Sequence, residues 1–370
     1  MGITIVGMYE VLQRAHALAL AYLQGLPKRR VAPVASLEDL RRTIHVPLND
    51  EGEDATTVLD ALVTAAEPGL MANAGGRFFG FVVGGALPVS VAADWMTTAW
   101  DQNPGIYALS PAEAVVEEAA AAWLLELLGL SAAASVGFVT GAQMANFTAL
   151  AAARQEMLRR EGWDVNVDGL RGAPDLTVIV GEEVHVTVLR AMRYLGIGTA
   201  RARIVAADEQ GRMIPSELDR VLRDCDGPTI VCAQVGNVNS GAIDPMYEIA
   251  PLTRAAGAWL HVDGAFGLWA AAVPSMRELV RGVEQADSWA TDAHKWLNVP
   301  QDCGVVIVAD PAAHKAAVGT DAAYLIKAAG AERDAIDFVP EFSRRGRGFP
   351  VYAAIRHLGR AGVADMIERC

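Results

Sequence analysis

Lys295 has the residue type and the setting that carbonyl chemistry requires. It lies in the stretch Ser288-Trp-Ala-Thr-Asp-Ala-His-Lys-Trp-Leu297, after a short apolar run and directly after His294. The chain has only four lysines among its 31 lysine and arginine residues, so lysine is an unusual choice here. An amine in partly apolar surroundings can lose its proton and form a Schiff base with a carbonyl. A surface lysine beside a strand would look the same, so the assignment depends on finding the rest of a carbonyl-cofactor site.

Lys315 serves as an internal comparison because it also follows a histidine, His314. It comes after Asp310-Pro311, in a stretch with the character of a solvated helix. It has neither the apolar run nor the aspartate motif described next, so this context favours Lys295.

Asp263 ends an apolar run in the segment Trp259-Leu-His-Val-Asp-Gly-Ala-Phe-Gly267. The small residues Gly264 and Ala265 leave room for a flat ring. A buried carboxylate needs an opposite charge or a strong donor, or its pKa rises until it is neutral. A protonated pyridine nitrogen would meet that need. The alternative is a strand-end aspartate that caps a turn or a helix.

The segment Phe138-Val-Thr-Gly-Ala-Gln-Met-Ala-Asn146 predicts a strand, a glycine that permits a tight turn, and a helix that begins at once. The free N–H groups and the dipole of a helix N-terminus can bind a phosphate without a lysine. The chain has no GxxxxGK[ST] or GxGxxG motif here, which argues against nucleoside triphosphates and dinucleotides. An ordinary strand–turn–helix junction remains the alternative.

His185 follows the strand predicted at 176–180 and begins a helix. A single histidine in this position is more often structural than functional. It gains interest because it falls at the same predicted sheet edge as Asp263 and the 140–146 turn.

The elements that would position these residues alternate between strand and helix from about residue 110. Near-continuous apolar strands between helices predict a mostly parallel sheet with helices on both faces, and ligands bind outside the carboxyl ends of such strands. The segment Ser110-Pro-Ala-Glu113 predicts a helix start with a serine cap. Strands are predicted at 135–140, 176–180, 204–206, 229–235, 259–262, 288–291 and 305–308, and helices at 110–130, 142–160, 185–195, 215–223 and 246–256.

Composition limits the classes of function. A net charge of −13 argues against nucleic-acid binding, because a polyanion would be repelled. The four cysteines show no metal-binding spacing and suit a reducing cytoplasm. Residues 1–26 predict an amphipathic helix rather than a signal peptide or membrane span, and no later segment predicts a span.

Together these segments resemble the group II decarboxylases that depend on pyridoxal phosphate, the family that includes aromatic-amino-acid and glutamate decarboxylases. The resemblance covers nearly the whole chain and implies the large-domain fold of the aspartate aminotransferases (fold type I) with pyridoxal 5′-phosphate as cofactor. It is carried, in family order, by Gly76-Arg-Phe-Phe-Gly80, Ser110-Pro-Ala112, the 140–146 turn, His185, Gly236-Asn-Val-Asn-Ser-Gly-Ala-Ile-Asp244, His261-Val-Asp263, Asp292-Ala-His-Lys-Trp296 and Ser343-Arg-Arg345.

The resemblance implies a role for each matching residue. Lys295 would be the Schiff-base lysine, Asp263 the partner of the pyridine nitrogen and His185 the ring stacked on the cofactor. Tyr324 matches a loop tyrosine that protonates the carbanion after carbon dioxide leaves. The phosphate would be held by Gly141, Ala142 and Gln143 beside His294, with Ala265 and Asn237 completing the cofactor site and Phe78 and Phe79 forming part of the substrate pocket.

The implied activity is decarboxylation of an L-amino acid by a cytoplasmic homodimer. Phe78, Phe79 and Trp100 favour an aromatic or apolar substrate, while Arg77, Arg344 and Arg345 could equally be structural ion-pair residues. Asn237 replaces a threonine usual in aromatic-acid decarboxylases, and Gln301 replaces an aromatic residue, so the substrate class stays open.

Three segments are predicted: an N-terminal helical segment at 1–75, a cofactor-binding domain at 76–310, and the beginning of a C-terminal small domain at 311–370. Family members continue into a full C-terminal domain, so this one is expected either to be truncated or to function without that domain. A catalytically impaired homologue that acts as a binding subunit is therefore an alternative. An aldehyde-forming or aminotransferase-type enzyme is another.

Overall fold

The computed structural model describes residues 5–200, 202–320, 330 and 332–370. Its contacts divide the chain into two compact units, Met1–Gly85 and Ala86–Cys370. The three predicted segments, with boundaries at 75/76 and 310/311, remain a prediction.

The first unit contains the helices α1 (Ile5–Gly25), α2 (Leu37–Ile44) and α3 (Ala55–Ala66). Helix α2 is capped by Ser36, whose hydroxyl accepts from Asp39 N while the Asp39 carboxylate accepts from Ser36 N. Arg14 of α1 pairs with Asp60 of α3 at 2.7 Å. Among the described residues, no helix has both the length and the apolar character needed to cross a bilayer.

In the second unit, seven strands of the described residues form one sheet in the order β1-β7-β6-β5-β4-β2-β3. Only β7 runs antiparallel to its neighbours, so the mostly parallel sheet predicted from the alternation is confirmed. The strands are β1 (Ser135–Val139), β2 (Thr177–Gly181), β3 (Ala202–Val205), β4 (Thr229–Gln234), β5 (Trp259–Asp263), β6 (Ser288–Asp292) and β7 (Gly304–Val308).

Alternate residues of the strands face opposite helical layers, which is why the strands are apolar throughout. Ile179 packs in a core with helices α5, α9, α10 and α12, whereas its neighbours Val178 and Val180 pack with α6, α8 and α11. The helices of this unit are α4 (Pro88–Trp100), α5 (Pro111–Leu127), α6 (Ala142–Arg160), α7 (Val165–Asp168), α8 (Val186–Tyr194), α9 (Pro215–Arg223), α10 (Met246–Ala255), α11 (Pro311–Val318) and α12 (Gly348–Glu368).

Helix α5 begins where the sequence predicted, but the predicted serine cap is wrong. The Ser110 side chain makes no capping bond and instead lies 3.5 Å from Gln102 Oε1. Glu113, the expected second half of the cap, accepts from Gly348 N at 3.0 Å. A long-range partner at the start of α12 has therefore replaced the local one.

The carboxyl ends of β1, β2, β4, β5 and β6 meet at one edge of the sheet. The chain leaves this edge into α6 after β1 and into α8 after β2, and it ends β5 at Asp263 and β6 at Asp292. The candidate site residues that follow these strands therefore lie at the same edge of the sheet.

Candidate active site

Lys295 lies in the turn that follows β6, and its immediate polar partner is Asp292. Its Nζ is 3.3 Å from Asp292 Oδ2, and its side chain is 20% exposed. The turn is closed by bonds from Ala293 N and His294 N to Cys303 O. The sequence predicted partly apolar surroundings for this amine. The structure adds an ion pair with a carboxylate that sequence reasoning did not assign to the site.

Asp292 also occupies the N-terminus of α6. Its Oδ1 accepts from Ala142 N at 2.6 Å and lies 3.6 Å from His294 Nε2. The carboxylate is almost fully buried, which suits the partial positive charge of a helix start. The N–H group predicted to bind a phosphate thus has an anionic partner already. Gln143, next along the helix, accepts from Arg190 NH1 through its side-chain oxygen at 3.1 Å.

The predicted tight turn at Gly141 is wrong, and the close packing at this point is set by the neighbouring Gly304. The φ of 174° at Gly141 is extended backbone that any residue adopts. A Cβ at Gly141 would contact His294 Cε1 at 3.4 Å, and a Cβ at Gly304 would overlap the Gly141 backbone itself. Gly304, at the start of β7, is a site residue that sequence reasoning missed. It pairs in register with both Val139 and Asp292.

Asp263 ends β5 as a buried carboxylate with neutral donors. Its Oδ2 accepts from Asn146 Nδ2 at 3.1 Å and its Oδ1 from Ala265 N at 3.2 Å. Burial raises the pKa of Asp263, while the Asn146 amide and the charges of His185 and Lys295 act in the opposite direction. The structure therefore brings together the three residues predicted to work on one cofactor.

His185 is the N-cap residue of α8. Its Nδ1 accepts from Thr187 N at 3.4 Å and lies 2.8 Å from Thr187 Oγ1. Thr187 Oγ1 also accepts from Asn146 Nδ2 at 3.3 Å. The structural interpretation of His185 is thus confirmed, since the ring caps α8 and lies half-buried beside the Asp263 network. Its stacking on a cofactor remains a prediction.

The two remaining cofactor candidates lie in neighbouring loops. Ala265 is half-buried, and its carbonyl accepts from Asp292 N at 2.8 Å. Asn237 is buried in the turn after β4, where its Oδ1 accepts from Asn239 N and Ser240 N. The structure gives Asn237 a role in shaping its own loop, and its contact with a cofactor remains a prediction.

The structure does not test three of the predicted site residues. Tyr324 lies outside the described residues. Phe78 is half-buried and Phe79 is 92% exposed, both within the unit Met1–Gly85, so their role in a substrate pocket remains a prediction. Within the described part of the chain, no group of three or more His, Cys, Asp or Glu side chains is arranged to hold a metal ion.

The sequence is similar to those of known decarboxylases. The profile of the pyridoxal-dependent decarboxylase conserved domain matches residues 38–370. The acidic amino acid decarboxylase GADL1 of Bos taurus is 30% identical over 340 residues, which is 90% of this chain and 64% of that protein. The cysteine sulfinic acid decarboxylase of Mus musculus is 30% identical over 295 residues, 78% of this chain and 59% of that protein. The chain thus spans less than two thirds of these curated relatives.

Solved structures agree with the sequence comparison. The Oryza sativa TDC, crystallised with PLP and tryptamine, superposes with a TM-score of 0.90 at 25% identity, covering 99% of this chain and 77% of that one. Mouse CSAD gives a TM-score of 0.89 at 26% identity with the same coverage.

Proposed function

Since the chain belongs to the pyridoxal-dependent decarboxylase family, we propose that it is a lyase that removes the α-carboxyl group of an L-amino acid. Its cofactor is pyridoxal 5′-phosphate. The observation that carries the proposal is the convergence of Lys295, His185 and the buried carboxylate of Asp263 at one edge of the sheet. Both relatives are named as decarboxylases, and we propose the same activity for this chain.

The surroundings of Asp263 indicate that the residues of this site fit the cofactor. The Asp263 carboxylate is buried at a cost that an amide and a backbone N–H offset only in part. A protonated ring nitrogen supplies the opposite charge that such a carboxylate needs. Asp263 would hold that nitrogen, Lys295 would hold the aldehyde carbon, and His185 with Ala265 would hold the ring.

When bound, the cofactor provides an electron sink for the bond to Cα that breaks. The side chains of this protein orient the reactants and move protons. Lys295 is the amine that the incoming amino group replaces, and once free it can carry a proton. Asp292 holds its ammonium group within 3.3 Å, at the side of the site where α6 begins.

For the phosphate, the proposed contacts are Gly141, Ala142, Gln143 and His294, with Asn237 in the neighbouring loop. The N-terminus of α6 supports this, because a helix start attracts anions, and a phosphate there would lie beside the Asp292 carboxylate that accepts from Ala142 N. Tyr324 is proposed to protonate the product carbon, on the family resemblance alone.

An aromatic or apolar amino acid is the proposed substrate. In support, Arg344 is tied to Glu117 by two bonds of 2.7 and 2.8 Å, and Arg345 to Asp94 at 2.8 Å. Both are therefore structural ion-pair residues, as one of the two sequence interpretations had it. An acidic substrate is the competing possibility, because relatives at 30% identity are named for acidic and sulfinic amino acids.

A panel of L-amino acids scored for carbon dioxide and amine tests the activity and the substrate class together. Turnover of phenylalanine, tyrosine or tryptophan above that of aspartate and cysteine sulfinate would support the proposal. Reversed preference would remove the aromatic assignment, and release of keto acid or aldehyde alone would contradict the decarboxylase. Cofactor binding without any turnover would favour the impaired homologue.

The role of Lys295 is tested by the absorption spectrum of the cofactor-loaded protein before and after borohydride. Lys295→Ala should lose the yellow band that borohydride bleaches, because the amine that forms it is gone. Lys315→Ala is the matched control, since Lys315 also follows a histidine but is paired with Asp337 at 2.5 Å. A band in Lys295→Ala that borohydride still bleaches would contradict the assignment of Lys295 as the Schiff-base lysine.

A homodimer in the cytoplasm is proposed as the working form. All four cysteines are free, which suits a reducing compartment. Light scattering should give about twice the 39.2 kDa of one chain.

A further inference from the structure

Behind Asp263, four polar side chains form a continuous buried row of hydrogen bonds. Trp259 Nε1 is 2.9 Å from Ser288 Oγ, and Ser288 Oγ is 3.0 Å from His261 Nδ1. His261 Nε2 is 2.9 Å from Asn146 Oδ1, and Asn146 Nδ2 is 3.1 Å from Asp263 Oδ2. Ser288, His261 and Asn146 are fully buried.

The row follows from strand and helix geometry. Trp259, His261 and Asp263 alternate along β5 and so point to the same face, the one covered by α6. His261 pairs in register with Ser288 on β6. Asn146 comes from the second turn of α6, above the strand end. Buried polar side chains cost free energy unless all of their hydrogen bonds are made. The complete set of bonds in this row therefore indicates a specific arrangement of these four side chains.

With Asp263 ionised, the donors and acceptors of the row allow only one direction. An ionised Asp263 can only accept, so it faces the amide nitrogen of Asn146, and the amide oxygen then faces His261. His261 must therefore carry its proton on Nε2, and its Nδ1 accepts from the Ser288 hydroxyl. Trp259, which can only donate, supplies the last bond to Ser288.

The direction is imposed by the carboxylate end, and the indole end is compatible with it, because the Ser288 hydroxyl can accept from Trp259 while it donates to His261. The carboxylate at one end has no proton to give, and the indole at the other has no lone pair to offer. Burial lowers the pKa of His261 to about 3, so its ring is neutral at ordinary pH. Each bond thus donates toward Asp263 without placing a positive charge next to it, and bonds aligned in this way strengthen one another.

We propose that Trp259, Ser288, His261 and Asn146 form a directional relay that keeps Asp263 ionised and thereby favours the protonated ring nitrogen of the cofactor. This proposal depends on the function proposed above in one respect, which is that Asp263 faces the ring nitrogen. None of its four members is a catalytic residue. They are positioning residues that act on the cofactor through Asp263.

The test compares two cofactors on the apoprotein. One is pyridoxal 5′-phosphate, and the other is 1-deazapyridoxal 5′-phosphate, in which a C–H group replaces the ring nitrogen. Equilibrium titration gives the ratio of the two affinities without any turnover. The relay can act only through the nitrogen, so a relay variant should change that ratio. A purely structural role would weaken both cofactors alike.

Asn146→Ala should reduce the preference for pyridoxal phosphate about tenfold, because it removes the donor to Asp263. Ser288→Ala, two bonds further away, should reduce it less. His261→Gln can still donate to Asn146 and accept from Ser288, so it should keep most of the preference, whereas His261→Leu should lose it.

Thr148→Ala is the matched control, since Thr148 is equally buried on α6 but bonds only within its own helix, to Met144 O. It should leave the ratio unchanged. If Asn146→Ala does not fold, Ser288→Ala carries the same test with a smaller change. An unchanged ratio in the relay variants would overturn the relay, and failure of the unaltered protein to bind either cofactor would overturn it together with the proposed function.

Discussion

Asp292 links three parts of the site. It joins the start of α6 through Ala142 N, and it lies within 4 Å of both His294 and Lys295. Its negative charge helps to hold the lysine, but it also stands where the proposed phosphate contacts lie. A phosphate held by those contacts would be repelled by the Asp292 carboxylate in this buried site.

Asp292→Asn should therefore raise the affinity for pyridoxal 5′-phosphate. The asparagine keeps an oxygen for Ala142 N and removes only the charge, so about tenfold tighter binding is expected. Titration of the apoprotein by absorbance measures it.

Pyridoxal without the phosphate is the control ligand for this variant. Its affinity should change little, because it carries no anion to be repelled. Equal gains for both ligands would show that Asp292 does not act on the phosphate side of the site.

Among the elements, the antiparallel strand β7 lies between β1 and β6 at the site. Gly304 begins β7 between Val139 of β1 and Asp292 of β6. A side chain there would overlap the Gly141 backbone, which is fixed by the strand before it and the helix after it.

Gly304→Ala should lower the free energy of unfolding by about 1–3 kcal/mol, since the added methyl group must displace backbone. Denaturant titration monitored by circular dichroism measures the change. Gly181→Ala is the control, because its Cβ would lie 3.7 Å from the end of the flexible Met213 side chain. A loss as large in Gly181→Ala would mean that strand glycines matter here for reasons other than this contact.

Across the whole second unit, buried ionisable side chains form bonds between segments that are far apart in the chain. Glu113 of α5 is fully buried, accepts from Gly348 N, and lies near Glu117, which is committed to Arg344. Burial, with the negative charge of Glu117, raises the pKa of Glu113 to about 8. The folded protein therefore holds a proton on Glu113 that the unfolded chain releases at much lower pH.

The sign of the pH dependence follows from this difference. The stabilisation from the protonated carboxyl is fully present below the ordinary pKa of 4.5 and is lost as pH rises through about 8. Glu113→Gln stays neutral, so its free energy of unfolding should fall less between pH 5 and 9 than that of the unaltered protein. The difference should be on the order of 2–5 kcal/mol.

Urea titrations at several pH values measure this effect. Glu126→Gln is the control, since Glu126 forms an exposed pair with Arg360 and should leave the pH dependence unchanged. Parallel pH profiles for Glu113→Gln and the unaltered protein would contradict a protonated Glu113.

Much of the fold was predictable because its signals are local. Apolar runs of strand length alternate with helical segments, and each of the seven predicted strands was found near its expected place. Lys295, Asp263 and His185 come after strand ends, so a parallel sheet had to bring them to one edge. The helix cap at Ser110 failed because Glu113 bonds a residue 235 positions away.

The amino-acid sequence by itself determined the elements, the family resemblance and the residues that meet at the sheet edge. Tertiary structure alone decided that Asp292 binds the start of α6 across 150 residues, that Asn146 reaches Asp263 across 117, and that Gly304 must be small. The physical reason is distance along the chain. Period and motif report a residue's own element, whereas the partner of a buried charge is selected only when strands and helices pack together.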